Sequence, residues 1–226
     1  MMDWDWQFVW EILPTLLEGA KITVIATLLG YLLAVALGLV FAILRRSHNR
    51  LLSRPTAGVV EFVRGTPLLV QLYFLFYILP EVGITLAPLV AGVIGLGLHY
   101  ATYTSEVYRA GIDNVPRGQW EAAKACNLTT RQTWRHVVLP QAIMPVIPAL
   151  ANYLIAMFKE TPLLSAITVL ELMNQARSIA NYNYRYVEPI TLVGVFFLVI
   201  SLIAVMGVKY LERRFGSHGK RGRAAT

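Results

Sequence analysis

Charge is scarce in this sequence. Only 15% of its 226 residues are Asp, Glu, Lys or Arg and 56% are hydrophobic, whereas soluble domains carry about 25% charged residues. That deficit excludes an ordinary water-soluble domain and points to the bilayer. Cysteine is nearly absent: Cys126 stands alone, so no intrachain disulfide framework can form. No Gly-rich loop ending in Gly-Lys-Ser/Thr occurs, which excludes a nucleotide-hydrolysing motor within the chain. His-Glu-x-x-His and nucleophile-elbow strings are missing too, which argues against an intramembrane enzyme, and no metal site is expected. The start, Met-Met-Asp-Trp-Asp-Trp-Gln-Phe-Val-Trp, has neither the positive charge nor the small-residue cleavage site of a signal peptide. No internal repeat or linker is visible. Residues 1–215 read as one transmembrane domain and 216–226 as a basic, disordered tail.

Long apolar runs are what the chain does have. Crossing a hydrocarbon core of about 30 Å takes roughly 20 apolar residues in a helix. Residues 22–44, 82–105, 137–158 and 189–208 each qualify without a Lys, Arg, Asp or Glu. The run 65–80 is short, so a span there must start near Ala57 and take in Glu61 and Arg64. The run 161–170 is too short to cross. The expected fold is therefore an all-α integral membrane protein with five transmembrane helices. Basic residues give its orientation. Fifteen fall on one side of this topology, against only Lys21, Lys159, Arg177 and Arg185 on the other. The N-terminus is expected outside and the C-terminus in the cytoplasm. The net charge of +7 is then an orientation signal near anionic lipid, and nucleic acid is not an expected partner. Trp4, Trp6, Phe8 and Trp10 suit an aromatic belt at the outer interface.

Between spans three and four lies a charged, helix-prone stretch, 118–140. Its first part, 119–128, is rich in helix formers and ends at Asn127, while Thr129-x-x-Gln132 reads as a capping box for a second short helix. Trp134, Val137 and Val138 share one side of that helix, and Pro140 is expected to break it before span four. A short exposed helix held at the membrane surface is suited to docking a cytoplasmic partner.

These residues carry a family resemblance. Glu121-Ala122-Ala123, followed later by Leu139-Pro140, resembles the "EAA" loop of importer-type ABC permeases. The wider frame resembles the polar-amino-acid branch: Phe62-x-Arg64-Gly65-Thr66-Pro67-Leu68-Leu69-Val70-Gln71, Glu106-x-x-Arg109-x-Gly111-Ile112 and Gly118-Gln119-x-Glu121-Ala122-Ala123. The likeness runs from about span one to span five. Asn127 departs from it, since the family usually has Gly there; Asn tolerates the left-handed conformation better than most residues. The resemblance implies a coupling helix formed by Gly118, Glu121, Ala122, Ala123, Asn127, Leu139 and Pro140, seated in a groove of a separate ATPase. It implies a second permease subunit (homo- or heterodimer), two ATP-binding subunits holding ATP and Mg, and an extracytoplasmic solute-binding protein. This chain would bind no cofactor itself and would reside in the bacterial cytoplasmic (inner) membrane. General likeness singles out ectoine or hydroxyectoine as solute, with glutamate, glutamine and basic amino acids open.

Candidate pathway residues follow Pro145 and Pro148, where local unwinding or a kink is expected. They are Asn152, Tyr153, Glu160 and Thr161. Tyr153 and Glu160 are seven residues apart and share a helix face. In similar permeases these two positions can face the solute. Glu160 would then meet a cationic group and Tyr153 offer a ring and a hydroxyl. Equally, Lys159 and Glu160 could simply mark the end of the span. Glu61/Arg64 and Glu106/Arg109 have i, i+3 spacing and read as structural ion pairs near the cytoplasmic gate. His99 reads as a packing residue ahead of a proton shuttle. The glycines at 92, 95 and 97 allow close helix contact, consistent with a permease dimer. Residues 165–186 read as an outer amphipathic helix plus loop, a candidate gate or binding-protein contact. An ion-gradient-driven secondary transporter is the alternative function, disfavoured by the lack of related halves.

Overall fold

The computed structural model describes residues 4–215; the expected tail, 216–226, lies outside them. Those residues are helical, with no strand among them. The first helix, α1 (Trp6–Arg45), starts where the Asp5 carboxylate accepts from the Gln7 and Phe8 amides at 2.9 and 3.2 Å. It then runs for 40 residues, about 60 Å at 1.5 Å per residue. One face is built of small residues, Gly30, Ala34, Gly38 and Ala42, all buried. The opposite face leaves Leu28, Leu32, Leu39 and Ile43 exposed, as lipid contact requires.

Against that small-residue face packs α4 (Pro88–Asp113). A Cβ on Gly30 would meet Leu96 at 3.2 Å, and one on Gly38 would meet the Ala101 carbonyl at 3.0 Å. The Thr104 hydroxyl donates to the Ala34 carbonyl at 2.8 Å, and the Tyr108 hydroxyl to that of Val35 at 3.3 Å. Contacts advance in the same direction along both helices, so α1 and α4 run parallel. The α4 glycines serve this chain's own packing: Gly92 lies against Leu164, Gly95 against Leu72 and Gly97 against Leu33. They make the close helix contact expected of them, here with neighbours in the same chain.

Between α1 and α4 the chain forms α2 (Arg50–Gly65) and α3 (Leu68–Tyr73), the latter continued by a π turn (Phe74–Ile78) and a 3-10 turn (Leu79–Val82). The axes before and after the break make 104°. The stretch expected to cross from Ala57 is thus no straight span. Thr66 precedes Pro67 and is extended (φ −106°, ψ 143°), as a pre-proline residue must be to avoid the ring. Three helical stretches, Trp6–Arg45, Thr130–Ile167 and Val187–Leu211, are long and apolar enough to cross a membrane, and the bent pair makes a fourth if counted as one. The expected third span, α4, has the length but not the apolarity. His99, Tyr100, Thr102, Thr104 and Ser105 dilute it, and all five are buried by protein.

Downstream come α5 (Arg117–Ala125), α6 (Thr130–Gln132) and α7 (Leu139–Glu160). The expected break at Pro140 does not occur. A π turn, Thr133–Val138, joins α6 to α7, with the Leu139 amide donating to the Trp134 carbonyl. Widening the helix here absorbs a residue that has no amide to donate. Nor do Pro145 and Pro148 unwind α7, which remains helical to Glu160; irregularity follows at the 3-10 turn Thr161–Ile167 and at Thr168 (φ 63°).

The helix α8 (Leu172–Asn183) lies across α1, and α9 (Val187–Phe215) closes the bundle. A Cβ on Gly19 would meet Leu172 Cα at 2.9 Å, and the Leu172 amide donates to the Thr23 hydroxyl at 3.1 Å. Glu171 caps α8 by accepting from Met173 and Asn174 at 2.8 and 2.7 Å; burial pushes its carboxyl up to about 7. The starts of α1 and α9 are clasped together. Arg185 pairs with Glu188 and with Asp5 and lies 5.1 Å over the Phe8 ring, an arrangement in which ion pairing and cation–π attraction add.

Replacing Gly38 by Ala should push α4 away from α1. The expected loss is about 1–3 kcal/mol, seen as a lower unfolding midpoint in detergent. Gly194→Ala, whose new methyl meets nothing within 4 Å, should leave the midpoint unchanged.

Candidate functional site

Three groups of side chains stand out. The first is the insert between α4 and α7. Its helix α5 ends in a Schellman motif: Asn127 is left-handed (φ 53°), its amide donates to Lys124 O at 3.0 Å, and that of Leu128 to Ala123 O at 3.1 Å. Asn thus serves where glycine is the commoner choice. Thr129 and Gln132 form the capping box that starts the next turn. Trp120 and Trp134 meet edge to face at 5.4 Å and pack with Val115, Val138 and Ala142. The motif is split by these contacts. Ala123 is buried, while Gly118, Glu121, Ala122, Asn127, Leu139 and Pro140 are exposed. The result is a rigid protrusion with a carboxylate and small residues on its outer face.

The second group, the candidate wall of a solute chamber, is a side-chain cluster between α4 and α7. Tyr153 lies 5.7 Å from the Tyr103 ring and 6.2 Å from that of Tyr100, and His99 stacks obliquely on Tyr103 at 5.3 Å. The Glu160 carboxylate acts on both His99 and Tyr100, and its Oε2 is buried with no hydrogen-bond partner. A carboxylate held beside Tyr100 and His99, with one buried oxygen left unpartnered, is disposed to take a cationic donor. Asn152 and Thr161 stand apart from this cluster. Asn152 is exposed and caps the Pro148 carbonyl at 3.1 Å; Thr161 is fully buried and bonds Phe158 O at 2.7 Å. Tyr100 and Tyr103 were not foreseen, although a Tyr pair at i, i+3 beside a His in an apolar run was available as a signal.

The third is a charge hub at the Arg45 end of α1. Glu106 receives Arg45 from α1, Arg64 from α2 at 3.5 Å and Arg109 from its own helix at 3.1 Å. Arg64 also grips Glu61 at 2.8 Å, and Arg46 pairs with Asp113. Glu61/Arg64 and Glu106/Arg109 are therefore parts of one network. Arg45 is the member that local spacing could not find. Beside this hub, an apolar groove of about 310 Å³ runs between α2, α3 and α4, lined by Phe62, Phe74 and Leu98 among others.

Long lipid-facing helices, polar residues kept on inward faces and a water-compatible protrusion define a multi-pass helical membrane protein. Residues 34–217 match the family described as "Binding-protein-dependent transport system inner membrane component", and the chain belongs to it. It is a permease subunit of the ABC transporter type, a multi-pass protein of the bacterial inner membrane. It is 43% identical to a probable amino-acid ABC transporter permease of Sinorhizobium fredii, over 94% of this chain and 92% of that one. The glutamine transport system permease protein GlnP of Escherichia coli is 32% identical, over 94% and 98%. A solved structure of an amino acid ABC transporter with histidines matches with TM-score 0.90 at 33% identity, covering 94% of this chain and all of that one.

Replacing Glu106 by Gln leaves three guanidinium groups without their shared carboxylate. Hydrogen exchange of α2 amides should quicken roughly five- to tenfold, since a charged bond at a half-exposed site is worth about 1 kcal/mol. Exchange in α8, at the far end of α1, should not change.

Proposed function

We propose that this chain is the translocation subunit of a binding-protein-dependent importer for a polar amino acid, powered by separate ATPase subunits that dock on α5. The observation that carries this reading is the protrusion: Glu121 and Ala122 are exposed on a helix whose far end is locked by a Schellman motif and which is tied to the π turn leading into α7 by the Trp120–Trp134 contact. A stiff lever joined to a membrane helix can pass on the movement of whatever grips it.

Five crossings fit the geometry. Because α1 and α4 are parallel, the chain must return between them, and Leu68–Val82 is the stretch available. Gly111 lies against Ala142 and Val146 while Tyr100 lies against Tyr153, so α7 is antiparallel to α4. The start of α9 beside Asp5 supports a fifth pass. With basic residues on the cytoplasmic side, α5 faces the cytoplasm and the Arg185–Glu188–Asp5 clasp faces out. ATP and Mg belong to two ATPase partners, and a second permease subunit completes the path.

Glu160, with Tyr153, Tyr100 and Tyr103, would hold the ammonium end of a zwitterion. Glutamine and histidine, named for two of the similar proteins, support an amino acid ahead of ectoine or hydroxyectoine.

Two substitutions in the reconstituted importer test these assignments. Glu121→Lys should abolish co-purification of the ATPase and solute-stimulated hydrolysis; intact assembly and stimulation would remove α5 from the docking role. Glu160→Gln should raise the KM for uptake at least tenfold, matching about 1.4 kcal/mol or more from one charged contact. An unchanged KM would remove Glu160 from the path. Running the series with glutamine, histidine and ectoine identifies the solute.

A further inference from the structure

One side chain joins the bend between α2 and α3 to the chamber wall. The turn at Gly65, Thr66 and Pro67 leaves the last carbonyls of α2 without helical partners, and Pro67 has no amide to offer. The Thr66 amide and hydroxyl reach Val63 O at 3.4 and 3.1 Å, and Gln71, one turn into α3, adds a closer donor. Its Nε2 lies 2.6 Å from Val63 O, 3.1 Å from Thr66 O and 2.8 Å from Thr66 Oγ1. Two carbonyls on that side fix the orientation of the amide, because a flipped Gln71 would set oxygen against oxygen. The Gln71 Oε1 is then committed to its other neighbour, His99 Nδ1 at 3.3 Å. An amide oxygen can only accept, so Nδ1 carries the hydrogen, and in the neutral ring Nε2 is the unprotonated nitrogen. His99 is 8% exposed and touches Tyr103, in the wall that holds Glu160.

We propose that Gln71 and His99 form a clamp that couples the Glu160 chamber to helix α2, making both of them positioning residues for transport. The proposal rests on the reading of Glu160 as a solute-facing group. It assigns the bend a purpose: α2 is anchored at two points, by the Glu106 hub on its Arg64 side and by Gln71 at its last turn. Both anchors reach α4, the helix that also carries Tyr100 and Tyr103. A shift of the chamber wall on solute binding is transmitted through the His99–Gln71 bond to the end of α2. Loss of that bond leaves the chamber able to bind and the bend free to move independently.

The test uses the complete importer in proteoliposomes. Gln71→Met removes the amide at nearly constant volume, His99→Leu removes the ring donor, and His99→Asn keeps an N–H close to the place of Nδ1. Gln71→Met and His99→Leu should each lower maximal uptake at least tenfold with KM shifted less than threefold. Their combination should be no slower than the slower single variant, because the His99–Gln71 bond is already lost in each. His99→Asn should recover to within threefold of the unmodified protein. Losses that multiply in the double variant, or a His99→Asn protein as slow as His99→Leu, would overturn the clamp. Should the apolar variants fail to assemble, His99→Asn against His99→Gln decides: Asn must be the faster, and equal rates refute the proposal. Glu160→Gln measured in parallel separates the two ideas. A raised KM there with a failed double-variant test sinks the clamp alone, whereas an unchanged KM sinks the chamber reading.

Discussion

The close approach of α4 to α1 is the constraint on which the remaining features depend. In a bilayer, lipid tails are as apolar as leucine, so helices gain little by hiding apolar surface from one another and associate through tight packing and shared hydrogen bonds. A row of Gly30, Ala34, Gly38 and Ala42 supplies that packing, and the Thr104 hydroxyl adds a bond to the Ala34 backbone. Once α4 is seated there, its polar residues are screened from lipid. A helix too polar to qualify as a membrane span by composition can then occupy the middle of the bundle.

That placement lets one helix carry function at three levels. Near its middle, His99, Tyr100 and Tyr103 meet Tyr153 and Glu160 of α7. A turn further, Glu106 draws together arginines from three helices. At its end the chain passes through Val115 into the exposed insert, packed back on α7 by Trp120 and Trp134. The Glu160 cluster, charge hub and protrusion are thereby linked through one helix, which gives a physical basis for moving them together.

Much of this organisation was legible in the residues. Apolar runs marked the lipid-facing helices, since burial in hydrocarbon demands continuous apolarity over about 20 residues. Thr129 and Gln132 announced their capping box, and Asn127 its left-handed turn, because these are local bonds between residues close in sequence. The seven-residue step from Tyr153 to Glu160 was readable for the same reason. The bend at Thr66 was not, although the Thr-Pro step was present: whether such a step kinks a span or turns it through 104° depends on what caps the freed carbonyls. Pro140 misled in the opposite sense, because a π turn relieved the strain that would have ended the helix.

Sequence alone determined the bilayer as solvent, the insert between two apolar runs and the ends of its short helices, all of which follow from composition or from contacts within one or two turns. Tertiary structure decided that the α4 glycines pack within the chain, that Arg45 joins Glu106, that Tyr100 and Tyr103 flank Tyr153, and that Gln71 closes the bend while touching His99. Each of those pairs residues distant in sequence or orients a side chain between two elements. Local propensity has no hold on such contacts; they exist only once α1, α4 and α7 are packed together.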